Sequence, residues 1–362
     1  MPTLDLPIQT APPSHSSPAQ RIHLISDDLT GACDASAPFL PERSVRVWLG
    51  PTGDSAPEDV QAFNTDSRGL PPEAAAKAVS KCAHLCPPDA LIFKKIDSAG
   101  RGPIAAELLA AHRALGTDIV LFTPSFPANG RIVSNGILHV YPASGLGTRL
   151  SLITLFSIKQ RAQIAIVDKP SDLAVALASH KHIAICNAET DDELEVLVQF
   201  AATLNKRILY AGSAGLAHAL AKSRRSHHQQ PREQLPLAAS PLLIVGTQHP
   251  VTLLQLAHLH QHQPDANLLT IRCDDTDADK IRTRFTDLNP DGLLLTGGDT
   301  ALLTLRALGA RSIELRGEIA PGIPWGIIDG GLADRRTLVT KSGGFGSATT
   351  LKEILTTLAG NA

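Results

Sequence analysis

The sequence predicts an α/β protein of two domains, each a mostly parallel sheet flanked by helices, with a cleft between them. Short apolar runs of β type alternate with Ala/Leu-rich stretches of helical period, the pattern of layered α/β folds. At 362 residues the chain is long for a single core. A polar, proline-containing segment, SRRSHHQQPREQLPLAAS at 223–240, interrupts the alternation and reads as a linker. The expected organisation is a disordered lead-in over 1–20, a first domain over 21–225, a linker over 226–239 and a second domain over 240–362.

RIHLISDD is the first strand and ends in acid, TGACDASAPFL begins a helix, and SVRVWLG is the second strand. PPEAAAKAVSKCAHLC is a helix opened by prolines, ALIFKKID a strand, and PIAAELLAAHRALG a helix ended by Gly116. DIVLFTPSFP, AQIAIVD, HIAICNAE and RILYAG continue the strand series. PLLIVGTQHP then opens a second strand-loop-helix series that closes on ILTTLAG. The interleaved helices imply right-handed crossovers in a mostly parallel sheet.

Composition excludes several classes. Hydrophobic residues make up 43% and charged residues 19%, and the net charge is -2 without a Lys/Arg stripe, so no basic footprint for nucleic acid is present. No apolar run approaches the roughly 20 residues needed to span a bilayer. The first twenty residues lack the basic start and apolar centre of a signal peptide, and their Pro/Ser content fits a disordered lead-in. Five scattered cysteines, of which Cys82 and Cys86 would share a helix face, lack a second pair at zinc spacing and read as reduced thiols of a cytoplasmic protein.

Asp27 and Asp28 sit where the first strand gives way to a helix, the end of a sheet at which ligands collect. Adjacent carboxylates repel and resist desolvation unless something binds them. They could accept substrate hydroxyls, hold a metal or supply a base; equally, Asp28 could simply cap the helix. Lys95 and Asp97 share one face of the next strand end, opposite Lys94, and Arg101 offers a planar fork for a carboxylate or phosphate. This cluster reads as an acid-sugar pocket or as a structural ion pair over the sheet end. The turn Asn129-Gly130 presents Arg131, an anion-gripping candidate on an otherwise rigid loop. Arg68, with Asn64 and Asp66, ends a further strand region directed at the same cleft.

Three glycine turns follow strands in the second half: Gly246-Thr247-Gln248-His249, Gly297-Gly298-Asp299-Thr300 and Ser342-Gly343-Gly344. Glycine lets backbone N–H groups approach an anion, and a helix N-terminus adds favourable partial charge. One such turn is ordinary; three at strand-to-helix junctions form a phosphate-binding pattern. No G-x-x-x-x-G-K-[ST], G-x-G-x-x-G or protein-kinase catalytic loop occurs. Gly212-Ser213-Ala214-Gly215 departs from a nucleophile elbow by one place and reads as a tight turn.

Together these motifs resemble the four-carbon acid sugar kinase family. The matching segments are SDDLTGACDA (26–35), FKKIDSAGRG (93–102), PSFPANGRIVSNG (124–136), AGSAGLA (211–217), GTQHPVTLLQ (246–255), LTGGDTA (295–301), GEIAPGIPWG (317–326) and TKSGGFG (340–346). The resemblance implies a sugar-acid-binding domain followed by a nucleotide-binding domain. It implies transfer of the ATP γ-phosphoryl to the terminal hydroxyl of threonate, erythronate or a 3-oxo-tetronate. Asp27, Asp28, Arg68, Lys95, Asp97 and Arg101 would line the substrate side; His249, Gly297, Gly298, Asp299, Thr300 and Gly344 the ATP side, joined by Gly246 and Gly343 from the glycine turns.

ATP and Mg²⁺ are the implied cofactors and a small sugar acid the partner, with no nucleic acid or membrane; a homodimer is compatible. The glycine turns would hold phosphates bridged by Mg²⁺, with Lys95, Arg101 and Arg131 on the substrate carboxylate or developing charge and Asp28 or Asp97 taking the hydroxyl proton. Two positions depart from the family pattern: Ala99-Gly100 replace Thr-Leu of D-S-T-L-R-G, and His249 stands where a serine is common. A binding or regulatory protein with impaired catalysis is therefore one alternative. An aldolase or isomerase of sugar acids working through Lys95 is another.

Overall fold

The computed structural model describes residues 20–51, 57–141, 146–225, 233–274 and 276–360. The expected lead-in, apart from its last residue, and the first half of the expected linker lie outside the described residues. The chain begins with β1 (Ile22–Ser26), α1 (Leu29–Ser36), β2 (Val45–Trp48), β3 (Val60–Asn64), α2 (Pro72–Ala83), β4 (Leu91–Lys95), α3 (Ile104–Leu115) and β5 (Ile119–Thr123). Three short strands follow, β6 (Arg131–Ser134), β7 (Ile137–Val140) and β8 (Thr148–Ser151). Then come α4 (Ile158–Arg161), β9 (Ile164–Val167), α5 (Asp172–Ala178), β10 (Ile183–Cys186), α6 (Asp191–Thr203), β11 (Ile208–Gly212) and α7 (Ala214–Ser223). The C-terminal half holds β12 (Leu242–Val245), α8 (Pro250–His262), β13 (Leu268–Thr270), α9 (Asp277–Leu288), β14 (Gly292–Thr296) and α10 (Gly298–Ala307). It closes with β15 (Ser312–Ala320), β16 (Ile323–Asp329), β17 (Thr337–Lys341) and α11 (Thr350–Leu358).

Fourteen strands form one sheet in the order β13-β12-β14-β17-β16-β15-β2-β3-β1-β4-β11-β5-β10-β9. Most pairs are parallel, and the helices cover both faces. Strands buried on both faces must be apolar throughout, and every residue of β1, β3, β5, β11 and β14 is buried. The two halves, each expected to carry its own sheet, join edge to edge. β15 pairs antiparallel with β2 from Ser312↔Trp48 to Leu315↔Val45. This pairing satisfies backbone groups that two separate sheet edges would leave open. Arg46 reinforces the seam, with Nη2 2.5 Å from Glu58 and Nη1 donating to the Ser312 hydroxyl at 3.0 Å.

β6, β7 and β8 make a small antiparallel sheet, to which the sequence analysis assigns no strands. Its first turn is the pair Asn135-Gly136, at φ 52° and 71°, the backbone that a two-residue hairpin with the right-handed strand twist requires. The Asn-Gly pair between IVS and ILHV was the available signal. Among the described residues the five cysteines form no disulfide, and no helix is long and apolar enough to cross a membrane.

Candidate active site

β1 runs out into Asp27-Asp28. Asp28 is extended (φ -144°, ψ 162°) and caps α1: its Oδ1 accepts the Gly31 N–H at 2.9 Å and its Oδ2 the Thr30 hydroxyl at 2.8 Å. The same carboxylate lines the cleft, so the capping and the site readings hold together. Arg68 donates to both carboxylates, through Nε and Nη2 to Asp27 at 2.8 and 3.0 Å and through Nη1 and Nη2 to Asp28 at 3.1 and 2.8 Å. Its Nη1 also lies 3.6 Å from Asp97. One guanidinium thus compensates three carboxylates that would otherwise repel. Burial opposes ionisation of Asp27, but the charge of Arg68, aided by Lys94 and Lys95, holds its carboxyl below the usual range. Asp27 is only 2% exposed and does not line the cleft; its oxygens face Arg68.

β4 sends its two lysines to opposite faces, as alternation predicts. Lys94 is fully buried and pairs with Glu107 of α3 at 2.8 Å, a structural ion pair beneath the sheet. Lys95 lines the cleft, where its Nζ donates to the Ile96 carbonyl at 2.8 Å and lies beside Gly31 of α1. Beyond the strand, Asp97 Oδ2 accepts the N–H groups of Ala99 and Arg101 and the Arg101 Nε, while Oδ1 accepts Nη2 at 2.6 Å. Burial alone would raise this carboxyl; the Arg101 hydrogen bonds and the charges of Arg68, Arg101 and Lys95 hold it well below the carboxylate range. The departure at Ala99-Gly100 leaves this loop closed. Gly100 sits at φ 80°, and a Cβ there would run into the Leu150 side chain of β8, so a glycine is what this packing admits.

The glycine turns converge from the other half. Gly297, at φ 103°, precedes α10, whose first residue, Gly298, packs against the acidic end: a Cβ there would stand 2.8 Å from Asp28 Oδ2. A Cβ on Gly343 or Gly344 would press on Thr247 or His249 at 2.8 and 3.1 Å, so the first and third turns abut. His249 caps α8, its Nδ1 accepting the Val251 N–H at 3.3 Å. That role needs a neutral ring. Burial and the charges of Lys341, Arg101 and Arg131 lower its pKa in keeping with it. The histidine therefore does the work of a capping serine. Lys341, fully buried at the end of β17, donates to the carbonyls of Ser342 and Phe345 at 2.9 and 3.1 Å and ties the third turn to the sheet. Burial lowers its pKa to about 8.

The acidic strand end and the glycine turns open on one cleft of about 680 Å³ at the carboxyl ends of the strands, with Asp27, Lys94 and Lys341 behind its surface. Asp28, Arg68, Lys95, Asp97, Arg101 and Arg131 line one wall. Gly246, His249, Gly297, Gly298, Asp299, Thr300, Gly343 and Gly344 line the other. Arg131, at the start of β6, donates to the Asn129 carbonyl, and its Nε has no hydrogen-bond partner among the described residues. The sequence reading missed Asp34 and Arg272, which also line the cleft. Asp34 stood in the quoted SDDLTGACDA segment, three residues past Gly31, which was a usable signal; Arg272 followed a weak three-residue strand and had none.

A model of a sugar-binding N-terminal domain matches residues 22–152 and 146–220, and one of a nucleotide-binding C-terminal domain matches residues 278–351. The D-threonate kinase of Bordetella bronchiseptica is 29% identical over 90% of this chain and 94% of its own length. That of Salmonella typhimurium is 27% identical over 92% and 97%. The 3-oxo-tetronate kinase of Escherichia coli is 27% identical over 70% and 73%. A solved protein of Haemophilus influenzae shares the fold at 18% identity, with a TM-score of 0.66 over 91% of this chain and 98% of its own. Matched in both its halves and along nearly its whole length, the chain belongs to the four-carbon acid sugar kinase family.

Proposed function

We propose that this chain uses ATP to phosphorylate the terminal hydroxyl of a four-carbon sugar acid. The observation that carries the reading is the composition of the cleft: cations and carboxylates on one wall, glycine turns and the N-terminus of α10 on the other. Phosphoryl transfer asks for positioning and charge neutralisation, which two such walls supply. Lys95, Arg101 and Arg131 are the cations available to a substrate carboxylate. The turns at 246–249, 297–300 and 342–344 suit the phosphates of ATP, which brings the transferable phosphoryl group.

Among the described residues no group of three or more His, Cys, Asp or Glu gathers as metal ligands. Mg²⁺ fits such a site, because it is commonly held by one or two carboxylates together with phosphates and water. The exposed Asp299 in the first turn of α10 is the carboxylate beside the phosphate turns.

D-threonate is the first substrate to test, because three relatives aligned over nine-tenths of this chain are D-threonate kinases. The closed Asp97–Arg101 loop favours an active kinase over an impaired binding protein. ADP release should be measured with D- and L-threonate, D- and L-erythronate and 3-oxo-tetronate, with mass spectrometry of the products. Tetronate-dependent ADP release with a phosphorylated product is expected. ATP binding without turnover of any tetronate would leave the regulatory reading instead.

A further inference from the structure

Three carboxylates line the substrate wall of the cleft, and they differ in what already occupies their oxygens. Asp28 accepts four hydrogen bonds, from Thr30, the Gly31 N–H and both terminal nitrogens of Arg68. Asp97 is occupied by Arg101 and two backbone N–H groups. A carboxylate saturated by cationic donors cannot take a proton without breaking them. Asp34 receives no hydrogen bond among the described residues, and its Oδ1 is enclosed without a partner. A buried polar atom left unpaired in a folded protein calls for an explanation.

Asp34 lies on α1, three residues beyond Gly31, which places it on the helix face against which Lys95 Nζ rests. The tip of the β15–β16 hairpin also approaches it: a Cβ on Gly322 would stand 3.5 Å from its Oδ1. The charged groups that face it are Lys95 from β4, Glu318 from β15 and Asp28 from the start of its own helix. Burial pushes the carboxyl up to about 7, with Lys95 opposing and Glu318 and Asp28 adding to the rise. A base works best when its pKa lies near the working pH.

We propose that Asp34 is the general base of the transfer. This rests on the kinase reading above. The Asp34 carboxylate takes the proton of the substrate hydroxyl as that oxygen bonds to the γ-phosphorus. The bond from the γ-phosphorus to the bridging oxygen breaks, its electron pair leaving with ADP, and the proton passes from Asp34 to solvent. Lys95 holds the neighbouring charge in place, and Asp28 and Asp97 organise Arg68 and Arg101.

The test compares Asp34→Asn with the wild type on the tetronate that the wild type phosphorylates. The variant should lose about 100-fold or more in kcat, with KM for tetronate and ATP changed by less than about threefold. The wild-type rate should fall as pH drops through about 7, and that limb should be absent from the residual rate of the variant. ATP binding by calorimetry shows that the variant folds; if it does not, Asp34→Ser carries the same comparison. A variant within about threefold of wild-type kcat that keeps the acid limb overturns the proposal while leaving the kinase reading intact. A wild type that phosphorylates no tetronate overturns both.

Discussion

The two walls of the cleft are built from different materials. The N-terminal wall is a network of side chains, in which one guanidinium touches three carboxylates and each partner fixes the next. The C-terminal wall is mostly backbone, three turns whose glycines leave no room for a Cβ between neighbouring loops. A small, variable sugar acid needs directional side-chain recognition, whereas phosphates are recognised by N–H groups and helix ends common to every nucleotide. Damage should therefore appear as lost stability on the first wall and as lost nucleotide affinity on the second.

The sharpest way to break this contrast is Arg68→Met. Leaving Asp27, Asp28 and Asp97 uncompensated should destabilise the protein by about 3–5 kcal/mol in urea unfolding. A loss below about 1 kcal/mol would mean that the carboxylates relax independently, and that the first wall is no network.

The same half should also dominate the acid response. His23 of β1 is buried, with neither ring nitrogen hydrogen-bonded among the described residues, and burial lowers its pKa from 6.5 to about 4. The unfolded chain then takes up the proton first, so stability is fully present above about 6.5 and is lost as pH falls towards 4. The loss should be about 3 kcal/mol between those limits, and His23→Phe should flatten that part of the curve. An unchanged slope in the variant would assign the acid response elsewhere.

On the second wall, Gly343→Ala places a methyl group against Thr247. It should weaken ATP binding about tenfold, roughly 1.4 kcal/mol, with tetronate affinity unchanged in calorimetry. Equal loss for both ligands would show the walls to be coupled. The smallest effect belongs to Arg306, whose exposed ion pair with Asp66 at 2.9 Å bridges the halves. Arg306→Ala should change stability by less than about 1 kcal/mol.

Strand ends, glycine turns and the strand-helix alternation were legible because each depends on a few adjacent residues. Lys94 and Lys95 could be sent to opposite faces from alternation alone. The small sheet of β6–β8 was missed because its strands are four residues each and carry little periodic signal beside one Asn-Gly turn. Asp27 was expected in the substrate pocket, but of the two carboxylates that Arg68 bonds only Asp28 lines the cleft, a difference set by the depth of each side chain and not by residue type.

By itself the sequence determined much of the strand-helix alternation, the residue types at the strand ends of the cleft and the opposition of an acidic wall to a glycine wall. These follow from local periodicity and turn chemistry. The tertiary structure alone decided that two sheets merge through β2 and β15, and that Arg68 consumes the acidic pair. It also left Asp34, of the three carboxylates on that wall, without a hydrogen-bond partner among the described residues. Those outcomes depend on which distant groups meet, and whether an oxygen is occupied is a property of its neighbours in space.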